Sequence, residues 1–261
     1  MVRRFFSQAF LYHKGRTAAF NLAEFLCFDA GYPIITLIFY CLLASYSFQT
    51  TDLTHWVIGN AFLMCTNTCV FGLGSIFNGE RYYGRLRSIV ASPCNKLALI
   101  LANGVFPTLF ASIAVVGGFV VGGFVFKIDY SGVHLGLAAL TIVCAMFAAT
   151  GLGLLLAVFG LISDSMHLIL NVVSYILMIF TGAEFPVSQL PVWGQLISKL
   201  LPLTHSIEAM NVLLGKTEGD FYYLLLSEFG IGILYVIAAW GTLRGAEQAC
   251  RRSGRFDLFQ S

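Results

Sequence analysis

The chain has 261 residues, is 58% hydrophobic and only 11% charged, and carries a formal net charge of +2. Soluble domains carry about 25% charged residues, so a water-soluble fold, left with too few charges to cover its surface, is excluded. The apolar segments are long and continuous rather than alternating stretches of about ten residues. That favours helices over a transmembrane barrel and points to an all-α polytopic membrane protein.

In chain order, Arg3 and Arg4 come first, but charge interrupts the residues after them and no small-residue cleavage site follows. No removable leader is expected. Residues 1–20 are expected to hold an amphipathic interfacial helix, with Phe5, Phe6, Ala9 and Phe10 on one side and Arg3, Arg4, Ser7 and Lys14 mostly on the other. A disordered basic tail is the alternative.

Six transmembrane helices are expected, over about 24–48, 55–77, 98–126, 134–161, 167–184 and 221–243, each near the roughly 20 residues that cross the hydrocarbon. Pro33 lies inside the first and is expected to kink it. Between the second and third lies the one charged island, Gly79 to Pro93, with Glu80, Arg81, Arg85 and Arg87. It cannot lie in lipid, and its basic excess places it in the cytoplasm. Between the fifth and sixth, residues 185–216 are punctuated by Pro186, Pro191 and Pro202. Two short helical stretches, about 190–200 and 203–214, fit a hairpin dipping into one membrane face, with Trp193 at the interface.

Twelve basic residues (Arg3, Arg4, Lys14, Arg16, Arg81, Arg85, Arg87, Lys96, Arg244, Arg251, Arg252, Arg255) fall on one side of a six-span chain. Lys127, Lys199 and Lys216 fall on the other. This asymmetry makes both termini cytoplasmic, in the plasma (inner) membrane, and puts the hairpin outside. Gly118 and Gly122 give the third span a small face, read as tight packing within one subunit more than as a subunit interface. The seven cysteines form no CxxC pair and read as packing residues; no metal site is expected.

Little chemistry is encoded. Met210 to Thr217 ends like a P-loop but lacks its first glycine and a preceding strand. Neither a nucleophile elbow nor HExxH nor paired carboxylates occur, so no catalytic residue is expected. Ionisable residues within spans are the remaining candidates. Asp29 lies in the inner part of the first span, Glu184 ends the fifth, and Glu228 lies in the outer half of the sixth. Glu184 and Glu228 are expected to line a polar vestibule under the hairpin. Asn67, Asn103, Asn171 and Tyr175 are expected to hydrogen-bond between helices as structural glue.

Two motifs resemble those of the type-2 ABC exporter permeases. In the island, Glu80, Arg81, Gly84 and Leu86, closed by Ser92-Pro93, are similar to that family's E-R-E-x-G-T-L loop, with Tyr82 and Arg85 departing from it. In the hairpin, Thr181-Gly182, Phe185-Pro186, Leu190-Pro191, Leu201-Pro202-Leu203-Thr204-His205 and Leu213-Leu214-Gly215 follow the family's order. The resemblance implies a single transmembrane domain over 1–261. Its coupling helix at 79–93 would seat Glu80, Arg81, Gly84, Arg85, Leu86 and Ile89 on an ATPase. Two separate ATPase subunits would hold ATP and Mg, and this chain would bind no cofactor. A second permease, identical or related, and membrane lipids complete the expected partners, with no nucleic acid. Candidate translocation or gate residues are Glu184, Pro186, Pro202, Glu228 and Asp29. The function implied is export of an amphiphilic drug, antibiotic, peptide or lipid-like compound. The alternatives are a lipid-linked glycan exporter and, in another class, an ATPase-independent secondary transporter or assembly factor.

Overall fold

The computed structural model of the chain describes residues 31–82, 84, 88, 96–160 and 165–253. The expected interfacial helix at 1–20, together with Asp29, Arg85, Leu86 and Ile89, lies outside the described residues. The fold is all-helical, with no strand among the described residues.

Helix α1 (Tyr32–Phe48) carries Pro33 near the start of its described part, and the preceding residues of the expected span, 24–30, lie outside the described residues. The helix stops at Gln49, which turns left-handed at φ 52°. Asp52 then starts the next helix. Its Oδ1 accepts from the Thr54 backbone N–H at 3.2 Å and from the Thr54 hydroxyl at 2.6 Å, occupying one of the donors a helix start leaves open.

Helix α2 (Thr54–Gly74) widens into a π-helical stretch at Thr66–Phe71. It is followed, after a turn at Ser75, by the separate short helix α3 (Ile76–Tyr82), which enters the charged island; the second span thus ends at Gly74, near the expected 77. Helices α4 (Lys96–Phe126), α5 (Leu135–Phe159) and α6 (Met166–Phe180) follow. A 3-10 turn at Val187–Gln189 leads to α7 (Val192–Ser198) and α8 (Thr204–Leu213). The last helix, α9 (Phe221–Ser253), runs ten residues past the expected end at 243.

Among the described residues, four helices are long and apolar enough to cross a membrane: α2, α4 over Thr108–Phe126, α5, and α9 over Phe221–Gly245. Helices α1 and α6 are apolar but shorter, 17 and 15 residues. The most apolar windows of α2 and α5 are 76% and 72% buried, against 22% for α4 and for α9. The first two therefore form the centre, and the second two flank it. Ile58, Phe62, Cys65 and Cys69 of α2 meet Ala145, Met146 and Ala149 of α5 there, with Leu203, Ile207 and Met210 from the hairpin closing one end.

Small residues set the approach distances, as expected where hydrophobicity cannot drive helices together. Gly118 faces Ala61 and Met64, and Gly122 faces Val57, so the small face of α4 packs on α2 within the subunit as the sequence implied. Gly151 lies against α9, and Gly153 lies against the Cys69 carbonyl within the π stretch of α2. A side chain at either position would push two helices apart.

Candidate functional site

The hairpin residues fold back into the helical bundle rather than resting on it. Glu228 of α9 is wholly buried. Its two carboxylate oxygens accept the backbone N–H groups of Leu203 at 2.7 Å and Ser206 at 3.3 Å. Those groups open α8, and Leu203 is held left-handed at φ 78°. A carboxylate from one helix thus caps the start of another, where the unsatisfied N–H groups and the helix dipole favour negative charge. Tyr235, about two turns further along α9, donates its hydroxyl to the Leu200 carbonyl at 3.0 Å. At 1.5 Å per residue, Glu228 lies about 10 Å along α9 from Phe221, so the α7–α8 corner sits well inside the bundle.

Glu184 is held differently. It lies in the bend after α6, where Trp56 Nε1 donates to its backbone carbonyl at 3.0 Å. The neighbouring Ala183 presses on Gly59 of α2 so closely that a methyl built there would stand 2.5 Å from the Ala183 backbone. One Glu184 carboxylate oxygen is buried without a hydrogen-bond partner. Burial raises the carboxyl to about 7, against the opposing effect of the Asn60 side chain. Phe185 and Phe48 make an edge contact at 6.4 Å, and Phe48 tilts on Trp56 at 5.3 Å, an aromatic cluster of the kind that sits at a membrane interface. The loop before α2 joins this end through Lys216, whose Nζ lies 2.6 Å from Asp52.

The two acids therefore have separate surroundings. Glu228 does not line a vestibule with Glu184, as the sequence reading expected, because backbone amides occupy its carboxylate and no solvent reaches it. Pro202 is buried beside the Glu228 anchor, and Pro186 precedes the 3-10 turn after Glu184.

A half-open cleft of about 250 Å3 lies between α1, α2 and α6, and its lining includes Asn60, the neighbour of Glu184. Helix α1 contributes Tyr32, Thr36 and Tyr40, and α6 contributes Asn171, Ser174 and Tyr175. Asn60 and Thr66 come from α2, with Leu37, Leu63, Met64 and Met178 supplying apolar wall. The Thr66 hydroxyl, at the first residue of the π stretch, is buried without a partner. Asn171 and Tyr175 are exposed into this space rather than serving as interhelical glue. The sequence carried the signal in spacing. Tyr32, Thr36 and Tyr40 recur every four residues, and Asn171, Ser174, Tyr175 and Met178 fall at i, i+3, i+4 and i+7, one face each.

At the opposite end, α3 turns Glu80 inward, 4% exposed, and Tyr82 outward, 87% exposed. Glu80 is engaged within the chain. Arg81 lies in the last turn of α3, and Gly84 follows with φ 68°, a left-handed value that suits glycine after a helix end. No group of three or more His, Cys, Asp or Glu side chains able to hold a metal occurs among the described residues.

A chain with this many apolar helices, packed through glycine faces and folding a short hairpin back among them, is a multi-pass membrane protein. One family profile matches it, the ABC-2 type transporter, over residues 30–214. The chain belongs to the ABC-2 type transporter family and is a membrane transporter permease component. The match takes in α1 to α8 and stops short of α9, so Glu228 lies beyond it. No curated protein matches the chain.

Proposed function

We propose that this chain is the membrane subunit of an ATP-driven exporter, and that the cleft between α1, α2 and α6 is its translocation face. The carrying observation is the contrast between that polar, half-open cleft and the packed remainder of the bundle. Six crossings, with both termini and α3 in the cytoplasm and the hairpin outside, fit the distribution of Lys and Arg. The end holding α3 docks a pair of ATPase subunits that carry ATP and Mg, and two permeases pair to complete the path. Tyr82 and Arg81, with Arg85, Leu86 and Ile89 beyond them, form the docking surface. Buried Glu80 positions that surface rather than touching the ATPase, and Gly84 sets its turn. Closure of the ATPases moves α1 and α6 relative to the packed body of α2, α5 and α9. Glu184 and Pro186 stand at the outer mouth of the cleft as its gate. Asp29, a candidate from the sequence alone, is assigned to the inner approach.

The substrate class that suits an aromatic-walled cleft is amphiphilic, and a lipid-linked glycan is the second reading. The test is topological and biochemical together. Tyr82→Cys is expected to react with an impermeant thiol reagent only from the cytoplasmic side. A photo-crosslinker at position 82 is expected to capture an ATPase subunit, while Val192→Cys reacts from outside. Labelling of position 82 from the exterior, or transport driven by a proton gradient with no ATPase, would overturn the proposal.

A further inference from the structure

Helix α2 is interrupted twice along its inner half. It winds as a π-helix over Thr66–Phe71, and the chain breaks again at Ser75 before α3. Outward of the π stretch the helix is tied down. Trp56 donates to the Glu184 carbonyl, His55 meets Asn211 of α8 at 3.4 Å, and Asp52, just ahead of the helix, pairs with Lys216. Inward of it the contacts are with glycines. Gly104 of α4 and Gly153 of α5 lie against Leu73, Gly153 also meets the Cys69 carbonyl, and Gly160 meets the Gly74 carbonyl. A segment seated on glycines has few side-chain ridges to climb when it turns. The polar contacts at this level are long: the Thr150 hydroxyl reaches the Cys69 sulfur at 3.9 Å and the Thr108 hydroxyl at 3.2 Å.

Thr66 gives the second sign. Helical hydroxyls elsewhere in the chain donate to the carbonyl four residues back, as Thr36 does to Tyr32, Ser112 to Thr108, Thr141 to Leu137 and Ser198 to Gly194. At Thr66 the backbone N–H bonds the Leu63 carbonyl, three residues back, and the hydroxyl is buried with no partner among the described residues. An unpaired hydroxyl is costly where no water can reach it, and it marks a turn that is better satisfied in another geometry. In regular α geometry the Thr66 hydroxyl would reach the Phe62 carbonyl.

We propose that α2 has two registers: the π-helical one described and an α-helical one in which the segment from Val70 to Gly74 turns by about 100°, one residue of helix. The break at Ser75 takes up the displaced residue. Val70 shares a packed cluster with Met166 and Leu170 of α6, and Gly74 also lies against Leu170. The turn therefore pushes α6, one wall of the cleft, while the tied outer part of α2 stays in place. This register switch is a property of the fold and does not rest on the function proposed above.

The test puts para-fluorophenylalanine at Phe71, which lines the cleft, in the full chain in lipid nanodiscs, and reads it by fluorine NMR. A second sample carries the label at Phe62, in the tied part of α2. Two resonances are expected at position 71 and one at position 62. Thr66→Val removes the unpaired hydroxyl and should raise the π-register line about fivefold or more over the other, the least that such a group costs. Gly153→Ala puts a methyl into the Cys69 carbonyl of the π register and should shift the ratio the opposite way by a similar factor. Should Gly153→Ala not fold, Gly104→Ala, whose methyl meets the Leu73 side chain at 2.5 Å, gives the same push. A single resonance throughout, a ratio that the two variants do not move in opposite directions, or a matching pair of lines at position 62 would each overturn the proposal.

Discussion

A buried acid and a half-buried one near one end of the molecule play opposite parts. Glu228 gives both oxygens to backbone amides and ties the hairpin to α9. Glu184 keeps an oxygen unpaired beside a half-open cleft. The first is an anchor in the packed part of the bundle, between α8, α9 and α5; the second neighbours Asn60, which lines the half-open cleft. An acid inside a membrane protein is thus not in itself a sign of a pathway. What its oxygens bond to decides whether it holds the structure or is left free to respond.

The anchor should break hardest. Glu228→Ala strips the acceptor from two buried N–H groups, at about 1–3 kcal/mol for each group left unsatisfied. The thermal midpoint of the purified chain is expected to fall by roughly 5–15 °C, with Glu228→Gln in between. A midpoint that does not move would remove the anchor from the account. Next comes Gly59→Ala, whose added methyl meets the Ala183 backbone at 2.5 Å. It should cost about 1–3 kcal/mol, as overpacking does, and shift the Glu184 bend. Gly117→Ala has open space around it and serves as the silent control.

Glu184 should show itself through pH rather than through raw stability. A glutamate in the unfolded chain titrates near about 4.3. Burial has raised the folded value to about 7. Between the two, the folded protein still holds a proton that the unfolded chain has lost. Stability from this group is therefore full below the unfolded value, declines as pH rises, and levels off above about 7. Glu184→Gln is expected to flatten that decline in melts taken from pH 4 to 9, and an unchanged slope would contradict the assignment. The smallest effect belongs to Asp52→Asn. Hydrogen bonds from Lys216 and then Thr54 hold the Asp52 carboxyl down to about 2. Its stabilisation is present above the ordinary carboxylate range and is lost as pH falls toward about 2. Because the pair is exposed, its removal at neutral pH should cost no more than about 1 kcal/mol.

Much of this was legible in the residues. The helices, the glycine face of α4 and the two short hairpin helices were written in hydropathy and spacing, which local sequence carries directly. The limits of α6 and α9 were not: α6 stops at Phe180 because Thr181 and Gly182 turn the chain, and α9 continues past Arg244, whose guanidinium lies 3.8 Å over the Trp240 ring. The partner of Glu228 could not be read, because it is a set of backbone amides that gain their position only from the turn at Leu203. Glu80 matched a surface motif yet faces inward, since about half a turn of helix separates inside from outside and the motif does not say which. The cleft was missed for a different reason. Its polar residues are neutral and scattered over three helices, and the search for chemistry followed charge.

The most direct measurement of the central claim, that the Glu184 side moves while the Glu228 side stays fixed, is a pair of spin-label distances in the permease reconstituted with the ATPase subunits proposed for it. One pair spans the cleft from Phe39 on α1 to Val172 on α6; the other joins Val143 on α5 to Leu234 on α9. All four side chains are exposed. The account predicts that the first distance shifts between nucleotide-free and Mg-ATP-trapped states while the second holds. A second pair that moves as much as the first, or a first pair that does not move, would contradict it.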